Sequence, residues 1–123
     1  MTMLRDLPLP APRSEALIRI TPSTERITLN AAAAELLGIN AGDKVAFKED
    51  RRADGVTVIY VGKRGYNAYR TIRRKNGYII NSAALKRYLC EVLDGPGAYR
   101  IEQESEKDFS GNVYYQVFFK RFE

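Results

Sequence analysis

The side chains that usually perform acid–base and metal chemistry are scarce in this chain. It contains no histidine and a single cysteine, Cys90, so it lacks the commonest general base and the ligands of an ordinary zinc site. Three glutamates, Glu102, Glu104 and Glu106, alternate along one predicted strand and would share a face. Such a row is typical of a solvated surface, with a weak divalent-cation site as the alternative. We therefore expect no enzyme, no catalytic residue, no metal site, no cofactor and no small-molecule substrate.

Basic side chains are concentrated in one part of the chain. No acidic residue lies between Asp54 and Glu91, although that segment holds eight basic ones, which are Lys63, Arg64, Arg70, Arg73, Arg74, Lys75, Lys86 and Arg87. Outside it acidic residues outnumber basic ones, so the segment accounts for the net charge of +5. A basic surface of this kind suits the phosphates of a nucleic acid. The alternative is a solvated surface that the acidic stretch Glu102–Asp108 balances, within one molecule or between molecules.

Length and composition describe one soluble globular domain. The chain has 123 residues, of which 45% are hydrophobic and 28% charged. A lone cysteine excludes an intrachain disulfide and favours a reducing compartment. No apolar run has the length of a membrane span or of a signal-peptide core, so we expect a cytoplasmic protein with no membrane partner. Residues 1–14, with three closely spaced prolines, are predicted to form an extended tail.

Residues 15–62 read as a β-β-α-β-β unit. Alternating or β-branched stretches predict strands at 15–21, 25–29, 43–49 and 56–61. Between the second and third strands, Asn30 is expected to cap a short helix, Ala31–Leu37, which Gly38 ends.

The same pattern returns in residues 68–123, after a linker at 63–67. "AYRTIRRKNGYIINSAALKRYL" aligns without a gap on "LIRITPSTERITLNAAAAELLG", which places Arg70 on Arg19 and Asn81 on Asn30. Asn81 is thus predicted to cap the second helix. We interpret the pattern as an internal duplication whose two units share one core, the alternative being two unrelated units with the same element order. The predicted fold class is mainly β with two short helices (α+β).

The turn after the first helix has a distinctive composition. In "LGINAGDKVAF", Gly42 supplies a permissive backbone where a helix passes directly into a strand, and Asp43 can accept hydrogen bonds from nearby backbone N–H groups. We predict that Gly42 and Asp43 form a structural turn.

Residues 19–60, with "RITLNAAAAELLGINAGDKVAF", resemble the AbrB/MazE/SpoVT-type swapped-hairpin domain and its "GRITIP…LGI…GDKV" pattern. The same GD box occurs in the wider cradle-loop barrels, including double-psi barrels. Asn30 stands where the family usually has proline, and Gly95-Pro96-Gly97 stands where a second Ala-Gly-Asp turn would fall. The resemblance implies a compact swapped-hairpin or double-psi-like barrel in which one chain supplies both halves of a family dimer.

The resemblance also implies a function, because AbrB-like proteins contact DNA through the first hairpin of the unit. Mapped onto this chain, the candidate DNA-binding residues are Arg19, Arg26, Arg70, Arg73, Arg74 and Lys75. We expect a DNA-binding protein, such as a transcriptional regulator or a mobile-element protein. The alternative is a non-enzymatic protein-interaction or self-association module on the same barrel. The nearby Tyr66, Tyr69 and Tyr78 would stack on bases or pack on the barrel.

Overall fold

The computed structural model describes residues 15–65, 68–75 and 77–121, apart from the side chains of 119–121. The tail predicted for residues 1–14 and the end of the predicted linker lie outside these ranges. The described part contains β1 Leu17–Ile20, β2 Arg26–Asn30, α1 Ala31–Leu37, β3 Lys44–Arg51, β4 Thr57–Gly62, β5 Tyr69–Arg70, β6 Ile72–Arg74, β7 Gly77–Asn81, α2 Ala83–Val92, β8 Gly97–Lys107 and β9 Val113–Arg121. The prediction of a mainly β protein with two helices is confirmed.

The strands form one antiparallel sheet that is almost closed into a barrel. Its order is β5-β3-β4-β9-β8-β1-β2-β7-β6. The two terminal strands, β5 and β6, are consecutive in the chain and only Thr71 lies between them. Thr71 is 3% exposed, and its N–H and its hydroxyl donate to the Asp43 carbonyl oxygen at 3.1 and 2.7 Å. These bonds hold Thr71, the residue that connects the two end strands, against the start of β3.

One face of the sheet lines the main core. The alternating residues Ile18, Ile20, Ile27, Leu29 and Ile80 are each at most 1% exposed. Leu37 of α1 and Leu85 and Leu89 of α2 belong to the same cluster. Burial of each such side chain contributes about 1.5–3 kcal/mol to the hydrophobic stabilisation. The single cysteine, Cys90, is half-buried against this cluster.

The first helix follows its predicted bounds. The Asn30 Oδ1 accepts the N–H of Ala33 at 2.8 Å, and Gly38 ends the helix at φ 73° with its N–H on the Ala34 and Glu35 carbonyls. Asn30 also ties the helix to β1, since Oδ1 accepts the N–H of Leu17 at 3.1 Å and Nδ2 donates to the Glu15 carbonyl at 2.7 Å.

The second helix begins differently, and the prediction that Asn81 caps it is wrong. Ser82 is the cap, with an extended backbone and a hydroxyl that accepts the N–H of Leu85 at 3.1 Å. Asn81 is instead the last residue of β7 and pairs with Arg26. The strand thus continues through Asn81, and the next residue has a side chain that is equally suited to capping.

The pairing of strands follows the alignment of the two segments. Thr28 pairs with Ile79, the residue on which the alignment places it, and the flanking pairs exchange positions symmetrically around it. In the same way Arg19 pairs with Ala98 of β8, and its aligned residue Arg70 pairs with Lys44 of β3.

Candidate nucleic-acid interface

The two hairpins predicted to contact DNA lie side by side in the sheet. β1 pairs with β2, β2 with β7, and β7 with β6, all antiparallel. Paired residues share a face of the sheet, so one row crosses all four strands, formed by Arg19, Thr28, Ile79 and Ile72. This row faces away from the core, because the neighbouring residues Ile18 and Ile20 are buried on the other side.

Two further rows on the outward face flank the first. On one side Arg26 pairs with Asn81, and both side chains are exposed. On the other side Gly77 lies between Asn30 and Arg74. A Cβ on Gly77, which has φ 151°, would collide with the Leu29 carbonyl oxygen. Glycine at this position therefore allows β2 and β7 to approach closely enough to make the two hairpins one surface.

The remaining predicted residues lie at the edge of this surface. Arg70, in β5, is exposed and faces outward, because its neighbour Tyr69 packs against the core. Arg73 pairs with Tyr78, in a row that faces the core, but it is exposed at the end of the sheet. Lys75 is exposed in the turn between β6 and β7. All six predicted residues are thus exposed on the two hairpins and β5.

Sequence reasoning missed one member of this group, Lys44. It is exposed on β3 and pairs directly with Arg70 across the two strands. The sequence holds a signal that would have found it: with Gly95-Pro96-Gly97 in the place of Ala41-Gly42-Asp43, Lys44 falls on Ala98, the partner of Arg19. We call the surface that carries these cations the basic face; they are Arg19, Arg26, Lys44, Arg70, Arg73, Arg74 and Lys75.

The basic face has no neutralising partner within the described structure. The sequences of β1, β2, β5, β6 and β7 contain no aspartate or glutamate. The ion pairs found in residues 15–65, 68–75 and 77–121 join Lys48 to Asp108, Arg51 to Glu49, Arg52 to Asp50, Lys63 to Asp43 and Arg100 to Glu15. None of them involves a cation of the basic face. Like charges directly opposite one another, such as Lys44 and Arg70, destabilise a sheet, so an anion bound there would relieve the repulsion.

The helix α2 fixes the tip of the first hairpin. The Lys86 ammonium donates to the Pro22 carbonyl at 2.9 Å and also to the Thr24 carbonyl, while the Ser82 N–H donates to the Glu25 carbonyl at 3.2 Å. Lys86 therefore has a structural contact and is not counted among the cations of the basic face.

The predicted turn has the geometry of a scaffold element. Gly42 has φ 87°, and the Asp43 Oδ2 accepts the N–H of Asn40 at 2.7 Å. The Asp43 N–H in turn donates to the Asn40 carbonyl at 3.0 Å, and Lys63 lies 3.7 Å from Oδ2. The Asp43 carboxylate is therefore engaged in stabilising the turn to which it belongs.

The tyrosines near the basic cluster pack on the barrel. Tyr78 is 9% exposed, and Tyr69 makes an edge-on contact with Phe47 at 6.2 Å between ring centroids. Neither ring is an open platform for a base. Tyr66 lies outside the described residues.

A second concave surface lies on the outward face of β3, β4 and β9. It is an open cleft of about 410 Å³, and its lining includes Tyr60, Tyr114, Lys48, Asp108 and Phe109. Tyr60 and Tyr114 are buried beneath it, whereas Phe109, in the turn between β8 and β9, is fully exposed. The Lys48 ammonium lies 5.3 Å from the Tyr114 ring centroid and 3.6 Å from Asp108.

The β8–β9 turn stabilises the negative charge of Asp108 in this cleft. Burial raises the pKa of Asp108, but hydrogen bonds from the backbone N–H groups of Asn112 and Ser110, each 2.9 Å long, outweigh it, so that the pKa lies below its ordinary value. Burial, and then the charge of Asp108, raise the pKa of Tyr114. These shifts in pKa favour the ionised form of Asp108 and the neutral form of Tyr114.

Comparisons with family models, with curated proteins and with solved structures find no match to this chain. In the described ranges, neither helix has the length and apolar character needed to cross a membrane. The same residues contain no cluster of three or more His, Cys, Asp or Glu side chains arranged to hold a metal ion.

Proposed function

We propose that this protein binds duplex DNA through the basic face. The observation that carries the proposal is the set of exposed cations on two adjoining hairpins and β5, whose strands contain no acidic side chain. A surface of this kind gains free energy when phosphates replace the condensed counterions of DNA. The unrelieved pair of Lys44 and Arg70 adds a site at which an anion stabilises the fold itself.

The shape of the basic face suits a groove of DNA. Adjacent strands lie about 4.8 Å apart and β6 and β7 are the last two strands at one end of the sheet, so this end of the sheet can approach the major groove, which is about 12 Å wide. In that orientation Arg73, Arg74 and Lys75 at the hairpin end reach the phosphates. Arg19 and Arg26 on the other hairpin would meet the flanking backbone.

The resemblance to AbrB-type domains supports the same function. It places the DNA-contacting hairpins at β1–β2 and at β6–β7, and these hairpins adjoin in the sheet. The symmetric pairing around Thr28 and Ile79 is the arrangement expected of an internal duplication. On this proposal the chain is a single-polypeptide form of the swapped-hairpin dimer and acts as a transcriptional regulator or a mobile-element protein.

The test is the salt dependence of binding, measured by fluorescence anisotropy with a mixed-sequence duplex. If about five phosphates are neutralised, affinity falls several hundredfold between roughly 50 and 200 mM salt, with a slope near −0.9 per contact. Replacing Arg73 and Arg74 together by alanine makes the slope shallower by about two and weakens binding to all duplexes alike.

The matched control replaces Arg51 and Arg52, which are exposed basic neighbours outside the basic face. This double variant removes the same charge and should leave the slope unchanged. If the unmodified protein shows no salt-sensitive binding at low salt, the proposal is wrong.

A second candidate function is protein interaction, and the exposed ring of Phe109 favours it. A fully exposed phenylalanine beside an open cleft that holds Glu49, Asp50 and Glu106 suits a partner with basic and apolar side chains. Replacing Phe109 by serine should abolish binding of such a partner and leave DNA binding unchanged.

A further inference from the structure

Asn81 is an exposed amide whose side chain has no partner among the described residues. No hydrogen bond to its side chain is found there, and its backbone completes the pairing of β7 with β2. The aligned residue, Asn30, makes three side-chain hydrogen bonds that hold α1 and β1 together. Because Ser82 caps α2, Asn81 carries none of these structural duties.

Asn81 lies in the end row of this outward surface, directly opposite a cation of the basic face. It shares a row with Arg26, and the next row on the same face holds Thr28 and Ile79. Beyond Ile79 lies Ile72, an isoleucine that is 36% exposed. The unpartnered amide thus lies beside Arg26, a cation that would hold a phosphate, and near the half-exposed Thr28, whereas Ile79 is only 7% exposed.

An amide group in this setting matches one base in particular. The carbonyl oxygen of an asparagine side chain accepts from the N6 amino group of adenine, and its NH₂ group donates to adenine N7, in the major groove. The thymine of the same base pair presents a C5-methyl group, which apolar and threonine side chains contact. Thr28, which is half-exposed in the row next to Asn81, supplies such a group, and Ile72 at the end of the same row is 36% exposed.

We infer that Asn81 is a specificity-determining residue that reads the adenine of an A·T base pair in the major groove. The inference rests on the proposed function, because the cations of the basic face must first hold the duplex. Phosphate contacts position the protein and do not read sequence. The duplication thus yields two asparagines with different roles, in which Asn30 builds the scaffold and Asn81 contacts the base.

The experiment first selects a preferred duplex from a pool with a randomised centre, using the whole chain. Each A·T pair of that duplex is then changed to G·C, and each adenine separately to 7-deazaadenine, which lacks the N7 acceptor. For the unmodified protein, one position should lose affinity on the order of five- to a hundredfold when A·T becomes G·C. The 7-deaza change at the same position should also weaken binding.

The Asn81→Ala variant should bind the preferred duplex more weakly and become indifferent to both changes at that position. Its salt slope and its melting temperature should equal those of the unmodified protein, since Asn81 is exposed and holds no phosphate. The control variant Ser82→Ala should melt at a lower temperature and keep the sequence preference.

The outcomes separate the inference from the proposed function. If the unmodified protein binds without sequence preference, or if Asn81→Ala keeps the full preference, the inference is overturned while DNA binding stands. If the unmodified protein binds no duplex in a salt-sensitive way, the proposed function fails and the inference fails with it.

Discussion

Thr71 and Asp43, which are 28 residues apart in the chain, are joined by two hydrogen bonds to one carbonyl oxygen. The Thr71 N–H lies 3.1 Å and its hydroxyl 2.7 Å from the Asp43 oxygen. Asp43 also holds its own turn through Asn40. The turn after α1 therefore anchors Thr71, the residue at which the two end strands of the sheet meet.

Replacing Thr71 by valine should lower the free energy of unfolding by about 1 kcal/mol. The change keeps the volume of a buried side chain and removes only the bond from its hydroxyl, while the backbone N–H bond remains. Urea denaturation measures the effect. Thr57→Val is the matched control, because Thr57 is half-exposed in β4 and its hydroxyl has no hydrogen bond within the described structure. Equal effects of the two variants would contradict the closing role of Thr71.

Replacing Gly77 by alanine should destabilise the fold by about 3 kcal/mol, from overpacking added to backbone strain. The new Cβ would collide with the Leu29 carbonyl oxygen at the junction of the two hairpins. Gly55 also has a positive φ, of 88°, but a Cβ there would meet no atom within 4 Å. Gly55→Ala should therefore cost only about 1 kcal/mol. Thermal melting of both variants gives the comparison, and a smaller effect at Gly77 would exclude the close approach.

The hydrogen bonds of the two helix caps predict the order in which three alanine substitutions lower the free energy of unfolding. Asn30→Ala should be the most destabilising of the three, because the Asn30 side chain makes three hydrogen bonds. Ser82→Ala should cost about 1 kcal/mol, and Asn81→Ala should change stability by less than about 0.5 kcal/mol. Guanidinium denaturation measures all three variants. If Asn81→Ala lowered the free energy of unfolding as much as Ser82→Ala does, the assignment of Ser82 as the cap of α2 would be wrong.

We expect Asp108 to make a contribution to the free energy of unfolding that depends on pH. Its pKa is lower in the folded protein than its ordinary value of 3.8, so the folded state favours the ionised form. The contribution is therefore complete above about pH 4 and is lost as the pH falls through the folded pKa. Asp108→Asn keeps the oxygen that accepts the N–H groups of Ser110 and Asn112 and removes the charge. The stability difference between the two proteins should shrink as the pH is lowered below 4, and a constant difference would contradict the prediction.

Local signals predicted most of the fold. The helix Ala31–Leu37 has the predicted bounds, because a cap and a stop glycine each act within one turn of the helix. The start of the second helix was mispredicted, since Asn81 and Ser82 are both good caps and the choice depends on how far β7 pairs with β2. The interruption at Thr71, between β5 and β6, could not be predicted from the sequence either, because Thr71 is held by the distant carbonyl of Asp43.

The individual cations of the candidate site were predicted from the sequence, but their arrangement on the sheet could not be predicted. Charge and resemblance pointed to Arg70 and Arg74, whose exposure the structure bears out. Lys44 joins them only through pairing between β3 and β5, a contact between the two halves of the chain. The availability of Asn81 likewise follows from the role of its neighbour, which sequence patterns leave undecided.

The closure at Thr71 also bears on how the protein meets other copies of itself. An exposed strand edge is a template for pairing with another chain. Here the terminal strands β5 and β6 are only 2 and 3 residues long, and they adjoin through Thr71. β6 covers β7, whose sequence includes Tyr78, Ile79 and Ile80 and which would otherwise be a longer and more apolar edge. Two very short end strands that meet at an anchored threonine thus leave little free edge to template edge-to-edge aggregation.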